Sequence, residues 1–216
     1  MPDNLHYTTV TPLLRQVLDE LMAAEVFDPF RLVGGTSLSL QRGHRESIDI
    51  DLFTDAPYDS IDFEAIEQFL KDHYSYVDSN GTGPAGMGKS YYVGNSKDDS
   101  VKLDVFYTDD FIRPIKVVDG IRLATEEEII AMKLDVIQRG GRKKDFWDLH
   151  EVMEEYSIDA MLLLHEERYP YSHDADQIRR NFGEFEAADN DPDPKCMRQK
   201  YWELIKLDML DFAGIE

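Results

Sequence analysis

Apolar residues recur along this chain in two rhythms, and the switches between them mark out its elements. In "TTVTPLLRQVLDELMAAEVF", residues 8–27, the apolar positions Val10, Leu13, Leu14, Val17, Leu18 and Leu21 fall at helical spacing. Pro12 stands near the start of that run, where its missing N–H is tolerated. "RLV" (31–33) reads as a short buried strand entering Gly34 and Gly35, and Thr36 to Gln41 as one or two helical turns. "SIDIDLF" (47–53) changes to a period of two. Ser47, Asp49 and Asp51 share one face there, and Ile48, Ile50 and Leu52 the other, as a strand requires. "SIDFEAIEQFLKDHY" (60–74) returns to an amphipathic helix.

From residue 74 to 107 the alternating segments "YSYVDS", "KSYYVGN" and "SVKLDVFY" predict strands, with Gly-rich turns such as "NGTGPAGMG" (80–88) between them. "PIKVVDGIRLA" (114–124) predicts a hairpin turning at Asp119-Gly120. Beyond it the rhythm is helical: "TEEEIIAMKLDVIQR", with Thr125 and Glu128 in capping-box spacing, then "RKKDFWDLHEVMEEY" and "SIDAMLLLHEERY". "DNDPDPK" (189–195) reads as an acidic linker, and "CMRQKYWELIKLDMLDF" as a final helix. No internal repeat is visible. The fold class expected is α+β, with a mixed α/β domain over residues 1–122 and a helical subdomain packed on it over 123–216.

Composition narrows the function. With 216 residues, 42% hydrophobic and 11% aromatic, the chain can bury a substantial core. No stretch approaches the ~20 apolar residues of a membrane span. The start, "MPDNLHYTTVTPLLRQ", lacks the basic and apolar regions of a signal peptide, so a cytoplasmic protein is expected. A single cysteine, Cys196, excludes an intramolecular disulfide and a cysteine-based zinc cluster. The formal charge of -21 argues against a broad nucleic-acid-coating surface, which would need cations to displace phosphate counterions. The densest positive run is "RGGRKK", Arg139 to Lys144; a solvated helix end and a local phosphate-facing patch are equally consistent with it.

The candidate chemistry centres on Asp49 and Asp51. Two carboxylates at i and i+2 on a strand project from one face, which suits a pair of hard divalent cations. A bare DxD is more often two solvated aspartates on an edge strand. Three features shift that balance. Gly34, Gly35 and Thr36 lie between a strand and a helix, where backbone N–H groups and the helix N-terminus favour a phosphate. Asp104, in "VKLDVF", offers a third carboxylate on another strand, and Lys133, in "IIAMKLDVI", is a cation on an otherwise apolar helix. Lys133 either snorkels to water or reaches into the site.

This set resembles the nucleotidyltransferases similar to DNA polymerase beta. More closely, "GGTSLSLQRGHRESIDIDLF", "AMKLDVIQRGGRKKDFWDLHEV" and "DADQIRRNFGEFEAADNDPDP" resemble the AbiEii/AbiGii toxin-like nucleotidyltransferase family, across roughly residues 30–210. The first block is the most specific, since it combines GGT, Arg45, Ser47 and the two aspartates at fixed spacing.

The resemblance implies a metal-dependent transfer of an NMP from an NTP to an acceptor hydroxyl. Gly34, Gly35, Thr36 and Ser47 would bind the nucleotide; Asp49, Asp51 and Asp104 would hold Mg2+, expected as two ions. Lys133 would lie near the triphosphate, Asp145 would border the site, and Asp148 would be structural. It also implies a toxin component of a toxin–antitoxin or phage-defence system, with the antitoxin on a separate chain. The acceptor would be RNA such as tRNA, a protein hydroxyl or a small molecule. Two rivals stay open. One is a catalytically inert nucleotide-binding or interaction module of the same fold. The other is a DxD glycosyltransferase, which is expected to carry a longer domain before the motif than the roughly 48 residues found here.

Overall fold

The computed structural model describes residues 4–79 and 86–215, so most of the turn predicted at 80–88 lies outside the described residues. Helix α1 (Pro12–Ala23) begins as its sequence requires: the Thr11 side chain accepts from the Leu14 N–H, with Pro12 at the first helical position. Strand β1 (Arg31–Leu32) leads directly into α2 (Gly34–Arg42). The two glycines are therefore the first residues of the helix, not a separate turn, and the helix is longer than its apolar spacing suggests. Strand β2 (Asp49–Thr54) follows, then α3 (Phe63–His73), capped by Asp62. Strands β3 (Tyr76–Asp78), β4 (Gly88–Ser96), β5 (Asp99–Tyr107), β6 (Lys116–Val118) and β7 (Ile121–Leu123) complete the sheet. The helices α4 (Glu126–Gln138), α5 (Lys143–Val152), α6 (Ile158–Arg168), α7 (Ala175–Asn181), α8 (Glu186–Asp189) and α9 (Trp202–Ala213) come after it.

The strands form one mixed sheet in the order β3-β4-β5-β2-β1-β7-β6. Its centre is the parallel pair β2 and β5, in which Asp51 stands opposite Asp104 and Asp49 opposite Lys102. Alternation then sorts the two faces. Ile50, Leu52, Leu103 and Val105 are fully buried in a cluster with Leu14, Val17, Leu18 and Leu21 of α1. Asp49, Asp51, Lys102 and Asp104 are consequently driven to the opposite face. Ile48 departs from the expected pattern: β2 starts only at Asp49, and Ile48 is 65% exposed.

A second apolar cluster joins Val33 and Leu38 at α2 to Ile130 and Leu134 of α4, Phe146 and Trp147 of α5, Met161 of α6, and Trp202 and Met209 of α9. Helix α2 thus has one side against the sheet and one against the later helices. A buried ion pair fastens the two regions. Glu128 of α4 accepts from the Ile112 and Arg113 N–H groups at 2.9 and 3.0 Å and pairs with Arg168 of α6. Arg168 in turn donates to the Asp110 carbonyl and to Thr108. The capping box at Thr125 is therefore only half formed: Thr125 caps the Glu128 N–H, while the Glu128 carboxylate is drawn into the core by Arg168.

The segment read as a linker is also docked. Lys143 donates through Nζ to the Asp191 carbonyl at 2.6 Å and pairs with Asp193 at 3.0 Å. The Arg45–Cys196 bridge continues this attachment, which delays the start of α9 to Trp202.

Candidate active site

The glycines and the acidic strand meet in space. Gly34 has φ of +66°, a conformation that L side chains rarely adopt, and a Cβ there would fall 2.6 Å from Asp51 Oδ2. A Cβ on Gly35 would fall 2.3 Å from Arg45 Nη2. Each glycine therefore vacates the space that a charged side chain of the site occupies. That explains a glycine pair so soon before the aspartates more directly than phosphate approach does. The first N–H groups of α2 have no intrahelical acceptors and leave positive potential at this end.

Gly34, Gly35, Arg45, Ser47, Asp49, Asp51, Lys102, Asp104, Lys133, Arg142 and Lys144 line a cavity of about 130 Å3. It brings together most of the residues expected from the sequence. Thr36 is the exception among the nucleotide-binding candidates. Its side chain is buried and donates to the Asp49 carbonyl, with Ser47 Oγ 2.7 Å away. Thr36 thus ties α2 to the start of β2, and its hydroxyl does not face the cavity. Asp145 does not line the cavity either. It is fully buried behind it, 2.5 Å from Lys133 Nζ and 2.8 Å from Arg142 Nε.

Lys133 does not snorkel. Its ammonium is buried between Asp145 and Asp148, at 2.5 and 2.7 Å. Burial alone would discharge it, but the two carboxylates outweigh that and raise its pKa, so it stays protonated. Asp148 also receives Arg45 in a two-pronged contact at 2.6 and 2.8 Å, and His44 Nε2 at 2.8 Å. Burial would push the Asp148 carboxyl up, yet Arg45, Lys133 and His44 hold it well below the usual carboxylate range. Asp148 is therefore the centre of a buried network that carries the floor of the site.

The carboxylates facing the cavity are less well compensated. Burial, with Asp104 and Asp49 adding like charge, raises the Asp51 pKa from 3.8 to about 6. Lys144 Nζ stands 3.7 Å from Asp49, and Lys102 pairs with Asp104 through one oxygen. The other oxygen, Asp104 Oδ1, is buried without a hydrogen-bond partner. An all-oxygen donor set with one orphaned carboxylate oxygen fits a hard cation such as Mg2+. Among the described residues, however, no three such groups already converge on one ion position.

The family model described as "Nucleotidyl transferase AbiEii toxin, Type IV TA system" matches residues 16–214. The chain belongs to the AbiEii nucleotidyltransferase toxin family. The Aquifex aeolicus (strain VF5) protein aq_aa25 is 31% identical over 156 residues, covering 67% of this chain and 68% of its own. Among solved structures, JHP933 from Helicobacter pylori superposes with a TM-score of 0.57 at 21% identity, over 92% of this chain and 88% of that one. MenT4, a nucleotidyltransferase toxin from Mycobacterium tuberculosis, superposes with a TM-score of 0.50 at 14% identity, over 93% and 83% of the two chains. The fold of this AbiEii family member is that of the polymerase beta-like nucleotidyltransferases. Nucleotidyl transfer is accordingly its reaction class, within a family of toxins.

Three cavity residues were not singled out in the sequence. Lys102 was legible in principle, two residues before Asp104 on the same strand face. Arg142 and Lys144 were visible only as members of a basic run, which splits: these two turn to the cavity, while Lys143 turns to the acidic 189–193 segment.

Proposed function

We propose that this protein transfers an NMP from an NTP to an acceptor hydroxyl, with divalent cations held by Asp49, Asp51 and Asp104. The observation that carries the reading is the meeting of these three carboxylates, on one face of β2 and β5, with the N-terminus of α2 inside a cavity that five cations also line. When bound, Mg2+ would make the acceptor hydroxyl more acidic and offset charge on the departing pyrophosphate. In this reading Asp104, whose Oδ1 is buried without a hydrogen-bond partner, would help take the hydroxyl proton. Gly35 and Thr36 offer backbone N–H groups to the phosphates, and Lys133, Arg142 and Lys144 supply positive charge around them. Lys133 is steadied for that role by Asp145 and Asp148.

The cavity is too small for a whole nucleotide. A groove of about 880 Å3 includes Phe53, two residues beyond Asp51 on the same strand face, together with Phe111 and Tyr171. In this reading the groove receives the nucleoside. The acceptor is RNA, tRNA among the candidates, or a protein. The protein acts in the cytoplasm as a toxin, countered by a separate antitoxin chain. No helix among the described residues is long and apolar enough to cross a membrane.

Incubation with each labelled NTP, Mg2+ and total cellular RNA or protein, followed by identification of the labelled species, tests the reading. Transfer should require Mg2+ and disappear in Asp49→Asn and Asp51→Asn. Binding of NTP without transfer to any acceptor would instead favour an inert nucleotide-binding module.

A further inference from the structure

The cations at the cavity are not all disposed alike. Lys133 is buried and held by two carboxylates that do not face the cavity. Lys102 is about a third exposed, and its partner is Asp104, one of the three carboxylates assigned to the metal. Its place is dictated by register: on β5 it lies two residues before Asp104, directly across from Asp49 of β2. One Asp104 oxygen meets this ammonium, and the other is buried with no partner.

Resting on the metal-dependent reading above, we infer that Lys102 is a positioning residue: a resident counter-cation that holds Asp104 until a divalent cation displaces it. Removal of Lys102 leaves Asp49, Asp51 and Asp104 facing one another with less compensation. That destabilises the metal-free protein and removes the competitor for Asp104. An ammonium on a flexible four-carbon stem suits this exchange, because it can swing to water or to an incoming phosphate while its backbone stays in the sheet. Metal alone then binds weakly. Metal delivered with a nucleotide binds more tightly, because the phosphates accept the released ammonium.

The test is Mn2+ binding to the whole protein without nucleotide, read as free Mn2+ by electron paramagnetic resonance, alongside thermal melting in EDTA. Lys102→Met is compared with wild type and with Lys71→Met, which makes the same net-charge change at the α3 surface pair with Glu67. Lys102→Met should bind Mn2+ about two- to fivefold more tightly than wild type, the scale of losing a partly exposed ion pair. It should also melt lower in EDTA, and the melting difference should close as Mn2+ is added. Lys71→Met should show neither effect. Mn2+ affinity in Lys102→Met equal to or below wild type overturns the inference while leaving the metal-dependent reading intact. No Mn2+ binding by any of the proteins, with or without NTP, overturns both.

Discussion

Asp51→Asn should raise the stability of the metal-free protein while destroying its activity, and the size of the gain follows from the site. Asp51 sits against Gly34 at the start of α2, beside Asp104 and Asp49, and its pKa is raised from 3.8 to about 6 by burial first and like charge second. A raised carboxyl pKa means that the folded state prefers the proton. The resulting penalty is absent at pH values below the unfolded pKa, grows as pH rises from about 4 to 6, and is complete above that. At about 1.4 kcal/mol per pKa unit, the full penalty is about 3 kcal/mol. Asp51 keeps partial contact with solvent, so a gain of roughly 1–3 kcal/mol is the sounder expectation. For a chain of this length that is an increase in Tm of roughly 3–8 °C. Asparagine has nearly the same shape and leaves the Gly34 contact in place. The assay is thermal melting of both proteins in EDTA from pH 4 to pH 8. The two curves should meet near pH 4 and separate to a plateau above pH 6. With Mg2+ and NTP the gap should close or reverse, because only wild type gains binding energy, about 2.7 kcal/mol at a hundredfold excess over Kd. A mutant that is no more stable than wild type at pH 7.5, or a difference that does not change with pH, would refute the electrostatic account of this site.

Lys133→Ala should cost about 3 kcal/mol, because it removes the ammonium that the buried Asp145 and Asp148 share and leaves them with only Arg142 and with Arg45 and His44; chemical denaturation measures this, and a loss below 1 kcal/mol would show the network to be better solvated than its burial implies. Asp148→Asn should be destabilising on a similar scale and should lower transfer even though Asp148 does not line the cavity, which an NTP-turnover assay on the folded fraction will show. Gly35→Ala should lose about 1–3 kcal/mol by overpacking against Arg45, and transfer should fall with it. Asp148 and Asp145 are both held below the ordinary carboxylate range, so their contribution is present above about pH 4 and lost as pH falls further; melting between pH 2.5 and 5 should show a steep acid limb that is shallower in Asp148→Asn.

Local periodicity determined much of this protein. The alternation of Ile50 and Leu52 with Asp49 and Asp51 sets which side chains turn toward α1 and which turn away, because a strand has only two faces and one of them must be buried. The same rule placed Asp104 opposite Leu103 and Val105. The hairpin at Asp119-Gly120 and the caps at Thr11, Asp62 and Ser157 were equally local, since each depends on residues no more than a few positions apart.

Tertiary structure decided the ownership of the charges. Arg45 and Asp148 are 103 positions apart and Glu128 and Arg168 are 40 apart, and nothing in their flanking residues names the partner. The basic run at 139–144 divides only because α5 begins inside it, so that successive side chains leave in different directions: Arg142 and Lys144 toward the carboxylates, Lys143 toward the segment at 191–193. Whether Lys133 would reach water or a phosphate could not follow from its helix alone. A buried ammonium needs counter-charges, and those come from the first turns of a helix that the fold packs against it.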